Sequence, residues 1–275
     1  MAVCCVRNGF AIAGIASLSL AAFSEAAFSA SVTAACPEAA VSSENVEAIG
    51  ARDGTTILLK DGRELRLAGV VAGDDMGEDK AAAVIASELN GRVAGKRLTL
   101  YGNASPDRYG RLVSQAVVGG EEPHWLQADL VSAGFLRVAP ELGEIACATP
   151  LLNFERQARE TQLGLWKEPR FQVEKADHIE AMTAATGRFA VVEGVIHRVG
   201  ETSSRTYLDF GHRYNEDFTI VIPRSARREF AAAGIDLKSL RGKRVRVRGV
   251  LFSFGGPAVE IQKPASLEII ASSGI

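Results

Sequence analysis

From Phe189 to Ile261 the chain passes through short β-branched and aliphatic runs in one order. Phe189–Val199, Thr206–Phe210 and Phe218–Pro223 come first, a helical stretch near Ala226–Ala233 follows, and Lys243–Phe252 and Ala258–Ile261 close the block. Runs of this length bounded by turn residues read as strands. Three strands, a helix and two strands are the element order of a five-stranded Greek-key barrel. Strands this short leave an apolar face and an open edge, and closure into a barrel covers both.

An earlier block follows a related plan. Thr55–Leu59 and Glu64–Val71 flank Lys60-Asp61-Gly62-Arg63, and Asp-Gly between two such runs is a hairpin signal. Glu78–Gly91 places Ala81, Ile85 and Leu89 at helical spacing, and Arg97–Tyr101 and Leu112–Val118 are further strands around a turn-rich Asn103–Gly110. His124–Gly134 reads as a second helix that stops at glycine. Thr149-Pro150 reads as the cap and first residue of a third, running to Gly164 with Leu151, Phe154, Ala158 and Leu165 inward. No sequence repeat relates the two blocks. The expected fold is mainly β with α (α+β), two small barrels of the OB type in tandem over 47–169 and 188–272. A polar arm at 31–46 precedes them, and a linker at 170–187 with a short helix joins them.

The first thirty residues stand apart. One cation, Arg7, precedes the apolar or small-residue run Phe10–Phe23, and small-residue sites follow at Ala26-Ala27, Phe28-Ser29-Ala30 and Thr33-Ala34-Ala35. This is the layout of a secretory signal peptide at 1–30. The apolar run, roughly 14 residues, falls short of the ~20 that span a bilayer, so no transmembrane segment is expected after signal removal. The expected location is a periplasm or the medium. Cys4 and Cys5 leave with the signal, and Cys36 and Cys147 remain. Two cysteines in an oxidising compartment point to one disulfide. The alternative is a lipoprotein acylated at Cys36, against which stands Thr33, where such signals carry an aliphatic residue.

The formal net charge of −2, from 31 Lys and Arg against 33 Asp and Glu, speaks against a strongly basic nucleic-acid protein. The sum hides two halves. From Thr186 onward there are 14 Lys and Arg against 9 Asp and Glu, leaving 17 against 24 before it. Lys243-Arg244-Val245-Arg246-Val247-Arg248 alternates strictly, which turns Val245 and Val247 inward and sets Arg244, Arg246 and Arg248 on one outer face. With Lys238 and Arg241 nearby, the expectation is a cationic stripe that attracts phosphate backbone, with Tyr207, Phe210 and Tyr214 available for stacking. The alternative is a solvated strand face with core aromatics. His124, His178, His197 and His212 are scattered without metal-site spacing.

Five segments in the first block carry a resemblance: Asp53-Gly54-Thr55-Thr56, Arg66 through Asp74, Asp107-Arg108-Tyr109-Gly110-Arg111, Ala133 through Val138, and Leu163-Gly164-Leu165-Trp166. In this order, over about Glu47–Pro169, the chain resembles the staphylococcal nuclease (thermonuclease) family of OB-folds. The resemblance implies two arginines on the phosphate, Arg66 and Arg111, and a carboxylate acting on water, here Asp74 in place of the family's glutamate. Arg108 and the retained Tyr109 stand beside them for binding nucleic acid. It also implies a calcium ion held chiefly by two aspartates.

That metal set departs from the family pattern. Thr55 stands at the second aspartate of the family's Asp-Gly-Asp-Thr, and Val71 replaces a further ligating aspartate. Asp53, Asp74 and Asp75 are the carboxylates left that could gather a cation, with Asp53 and Asp74 the expected donors, and Ca²⁺ takes roughly 6–8 oxygens. Two nucleotide-holding tyrosines are replaced by Pro140 and Leu142. Phosphodiester hydrolysis needs a water oriented by a carboxylate and positive charge on the phosphoryl oxygens. The retained arginines and Asp74 favour an exported nuclease acting on nucleic acid or a smaller phosphodiester. The lost ligands favour a non-catalytic binding or scaffold protein on a degenerate nuclease domain.

Overall fold

The computed structural model describes residues 36, 40–73, 80–102, 106–143, 145–213 and 216–271. The segment at 1–30 expected to be a signal peptide, Asp74 and Tyr214 lie outside the described residues. Among the described residues no helix is long and apolar enough to cross a membrane.

The first barrel is built from β1 (Val41–Ala51), β2 (Thr56–Leu59), β3 (Glu64–Leu67), β5 (Arg97–Tyr101) and β6 (Leu112–Val118), with the short β4 (Val70–Val71) and helix α1 (Lys80–Val93) between β3 and β5. β1 pairs with both β2 and β5, β5 pairs with β6, and parallel pairing of β3 with β6 closes the ring. Helix α1 turns Ala81, Ile85 and Leu89 inward, all buried, against Ile57, Leu98 and Leu100. After β6 come β7 (His124–Trp125), α2 (Leu126–Ser132), β8 (Arg137–Val138) and α3 (Ile145–Glu160).

Three boundaries differ from the sequence expectation. The arm at 31–46 ends early, because β1 already begins at Val41. Its first half, Val41-Ser-Ser-Glu-Asn-Val46, is polar and pairs with β5 through two register shifts, so it lacks clean alternation. The second helix is preceded by the strand pair His124–Trp125, which pairs with β6. The third helix starts at Ile145, leaving Pro150 inside its second turn, where proline removes one hydrogen bond near the helix start. Cys147 in that first turn is disulfide-bonded to Cys36, 111 residues earlier.

Two of the five resemblance segments interlock. Gly134 and Gly164 both adopt positive φ, at 75° and 52°. Leu165 N donates to Gly134 O at 2.8 Å, and a Cβ on Gly134 would stand 2.2 Å from Leu163 O. Only glycine admits this approach with that backbone.

The second barrel repeats the strand order. β10 (Phe189–Val195) continues into β11 (Arg198–Glu201), and β12 (Arg205–Asp209), β13 (Thr219–Pro223), α5 (Arg227–Ala232), β14 (Arg244–Phe254) and β15 (Gly256–Glu260) follow. The path runs β11-β12-β13-β15-β14-β10, with β13 and β15 parallel. Val192, Leu208, Phe218, Ile220, Phe230 and Val247 fill its core. The chain is thus a tandem of two five-stranded OB-type barrels. The segment between them is packed onto both: Phe171 enters the first core, while β9 (Glu174–Lys175) pairs with β10 and Met182 of α4 (Ile179–Ala184) enters the second.

Candidate functional site

The parallel register of β3 and β6 sets Leu65 beside Leu112 and Arg66 beside Val113, which brings Arg66 next to the turn ending in Arg111. A cleft of about 780 Å³ opens there, lined among others by Arg66, Arg108, Tyr109, Arg111, Gln115 and Lys263. Arg66 is half-buried, and its Nη1 and Nη2 donate to Leu67 O and Val70 O, both at 3.2 Å.

Asp107 organises the opposite wall. Its Oδ1 accepts from the backbone of Tyr109 at 2.9 Å and of Arg111 at 3.0 Å, an Asx turn closed by Gly110 at positive φ. Its Oδ2 accepts from Arg111 Nε and Nη2 at 2.9 and 2.7 Å, so the guanidinium is held by two bonds that converge on one carboxylate oxygen. Burial raises the Asp107 pKa, but the bonds from Arg111 and the turn amides outweigh it and hold it below the ordinary 3.8. Tyr109 is 66% exposed, with the Arg108 and Arg111 guanidinium carbons 4.7 and 5.1 Å from its ring centroid. Two cations around an exposed ring suit a phosphate attached to a flat group.

Three contributors had no sequence expectation. Gln115 on β6 is buried, accepts from Trp125 Nε1 at 2.9 Å and donates to Ala68 O, which fixes the cleft floor. Glu141 and Lys263 come as a pair across the two barrels. Glu141 Oε1 accepts from Gln262 N at 3.0 Å, Lys263 N at 2.9 Å and Ser266 Oγ at 2.8 Å. Lys263 Nζ donates to Gly143 O. The second barrel therefore sets a lysine beside the three arginines at the edge of a cleft built mainly by the first. If Lys263 helps hold phosphate there, Lys263→Ala weakens oligonucleotide binding and lowers its salt slope by about 0.7, one single-strand phosphate contact. A salt titration of the variant against the parent protein checks it.

The expected metal positions do not assemble among the described residues. Asp53 Oδ1 accepts from Thr55 N at 2.8 Å and Thr55 Oγ1 at 3.1 Å, so this carboxylate shapes the β1–β2 turn. Burial raises its pKa, and the Thr55 and Thr56 hydrogen bonds bring it below the ordinary value. Val71 is buried in β4, paired with Arg137 of β8, and offers no side-chain oxygen. No cluster of three or more His, Cys, Asp or Glu able to hold a metal occurs among the described residues. This donor set does not fit a calcium ion, and Asp74 lies outside it.

The arginine stripe of the second barrel is corrected. The alternation holds, with Val245 and Val247 buried, but at Arg248 the outer face is closed by Glu155 of helix α3 in the first barrel, β16 (Leu267–Ile269) pairs beside β14 in the sheet, and only Arg244 stays largely exposed. Arg248 has no exposed side-chain surface. Its Nη1 donates to Glu155 Oε2 at 2.5 Å, and its Nη2 donates to Glu268. Arg246 lies 2.7 Å from Glu193 and 3.7 Å from Glu268, and the more exposed Arg244 is 3.4 Å from Glu193. Glu155 also accepts from Val138 N at 2.7 Å and lies 3.6 Å from Arg159. Arg248 joins the second barrel to the first through Glu155 and has no surface left for nucleic acid, whereas Arg244 and Arg246 pair within the second barrel. Of the proposed stacking residues, Phe210 packs on Phe218 at 5.1 Å while Tyr207 lies against Phe254.

Residues 78–168 match the family model described as Staphylococcal nuclease homologue. The match spans α1 through α3 and the closing Gly164-Leu165-Trp166, so it includes Arg108, Tyr109 and Arg111 but begins after Asp53, Arg66 and Asp74. No curated protein matches the chain.

Proposed function

Proceeding from a first barrel that is staphylococcal nuclease-like over 78–168, we propose that the protein binds nucleic acid or a smaller phosphodiester in the Arg66–Arg111 cleft, without calcium-driven hydrolysis. The observation that carries this reading is the convergence of Arg66 and of Arg111, locked by Asp107, on one cleft beside the exposed Tyr109. Arginine forks match phosphate oxygens bidentately, and an aromatic ring adds sequence-tolerant stacking. The engagement of Asp53 Oδ1 by Thr55 and the buried Val71 weigh against a tight calcium site.

The protein acts outside the cytoplasm, in a periplasm or the medium. The apolar run at 10–23 and the Cys36–Cys147 bridge support this placement. A catalytic version of the same site would use the Asp74 carboxylate on water, with both arginines on the phosphoryl oxygens.

The discriminating experiment incubates single-stranded DNA and RNA with the protein, with and without Ca²⁺, alongside Arg66→Ala and Arg111→Ala. The expected outcome is arginine-dependent binding and no calcium-stimulated cleavage. Calcium-stimulated cleavage that disappears in Arg111→Ala and in Asp74→Asn would make the protein a nuclease and overturn the non-hydrolytic reading.

A further inference from the structure

The second barrel has its own cavity, of about 270 Å³, lined from β11, β12, residues 211–213, Asp217, Thr219 and the end of β14. Two ring pairs line it. Tyr207 and Phe254 lie nearly parallel, 14° apart with centroids 5.9 Å apart, and Phe254 is 38% exposed. His197 and His212 meet with centroids 3.7 Å apart. Two imidazoles on one tetrahedral metal keep their centroids about 5 Å apart, given Zn–N near 2.0–2.1 Å. The pair is therefore a tilted ring contact, with planes 51° apart, and does not share a metal ion in this arrangement.

The backbone on either side of His212 is anchored. Phe210 N donates to Phe218 O at 3.1 Å, and Arg213 N donates to Asp217 Oδ2 at 2.5 Å. A Cβ on Gly211 would stand 2.1 Å from that same carboxylate, so the turn closes tightly on Asp217. Asp209 is engaged by Arg198 at 2.8 Å and by Thr219 Oγ1 at 3.1 Å. The cavity thus combines flat aromatic surface with imidazole nitrogens that can donate or accept, while two of its carboxylates already have partners.

We propose that this cavity binds a nucleobase, a planar heterocycle with a hydrogen-bonding edge. A purely aliphatic ligand would use neither the imidazole edges of the exposed His197 and His212 nor the aromatic faces as specific partners, and a bare anion would leave the rings uncovered. The base comes either from a free nucleoside or nucleotide or from a single strand. The inference stands independently of the phosphodiester cleft.

The test is calorimetric titration of the whole protein with adenosine, which lacks the phosphate the first-barrel cleft would need. Adenosine is expected to bind the parent protein and Arg111→Ala alike, and to bind Phe254→Ala about 5- to 100-fold more weakly. His197 and His212 ring proton resonances are expected to shift on addition, a readout that does not depend on the variant folding. No binding at millimolar adenosine overturns the proposal, as does binding that survives Phe254→Ala unchanged or leaves those resonances unmoved. Hexanucleotide binding that is tighter than adenosine and equally Phe254-dependent supports a strand as the source. Adenosine binding with no gain for the hexanucleotide supports a free nucleoside or nucleotide.

Discussion

In equilibrium urea unfolding, Arg248→Ala is expected to lose about 3–5 kcal/mol, the cost of removing one partner from a buried ion pair. The side chain has no exposed surface, and its guanidinium lies between Glu155 of α3 and Glu268 of β16. Alanine would leave the Glu155 carboxylate buried with only Val138 N at 2.7 Å and Arg159 at 3.6 Å to meet it. Much of the loss therefore comes from a stranded charge. The double variant Arg248→Met/Glu155→Gln removes both buried charges and is expected to recover part of it. Equal midpoints for Arg248→Ala and the parent protein would show that the barrels do not depend on this pair.

The same network sets an acid limit. Burial raises the pKa of Glu268, but Arg248 and then Arg246 beside it bring it below its ordinary 4.5. A carboxylate with a lowered folded pKa contributes stability above its ordinary value, lost as pH falls through the folded value. The stability gap between the parent protein and Arg248→Ala is thus expected to narrow as the pH is taken below 4.5. Urea midpoints measured from neutral to acid pH check this.

The second large effect is expected from the disulfide. Cys36 and Cys147 are 111 residues apart, both 1% exposed, and link the chain ahead of β1 to the first turn of α3. A cross-link over a loop of this length restricts the unfolded chain strongly, and its loss typically costs about 2–5 kcal/mol. Cys36→Ser/Cys147→Ser is expected to show that loss as a lower urea midpoint. With both sulfurs buried, reductant should have little effect on the folded parent protein and a large one once it is unfolded. A double-serine variant with the parent midpoint would mean that the bridge only ties down an already stable end.

The legible parts of the fold were those where pattern and packing coincide. β5 and β6 fall on Arg97–Tyr101 and Leu112–Val118 as expected, because one strand face meets the core throughout. β1 was read as an arm because its first residues are polar and its pairing is bulged. The Arg244–Arg248 alternation gives the direction of the side chains, but the outward face it implies is exposed at Arg244 and buried at Arg248. Period two tells which side chains leave the core, and nothing in one strand tells what packs on its outer face. A usable signal did exist on α3: Glu155 stands four residues after Leu151 and three before Ala158, so it shares the apolar stripe. A carboxylate there needs a buried cation, and Arg248 is that cation. Arg66 and Arg111 were legible through ordered motifs, whereas Lys263 and Glu141 meet only through contact between the barrels.

The central claim, that Arg66 and Arg111 form one phosphodiester site, is tested most directly by the salt dependence of oligonucleotide binding. Fluorescence anisotropy with a labelled single strand gives log Kd against log salt for the parent protein, Arg66→Ala, Arg111→Ala and the double variant. The account predicts weaker binding in each single variant, a slope reduced by about 0.7 for each arginine removed, and a reduction of about 1.4 in the double variant. Unchanged affinity and slope in the double variant would contradict it.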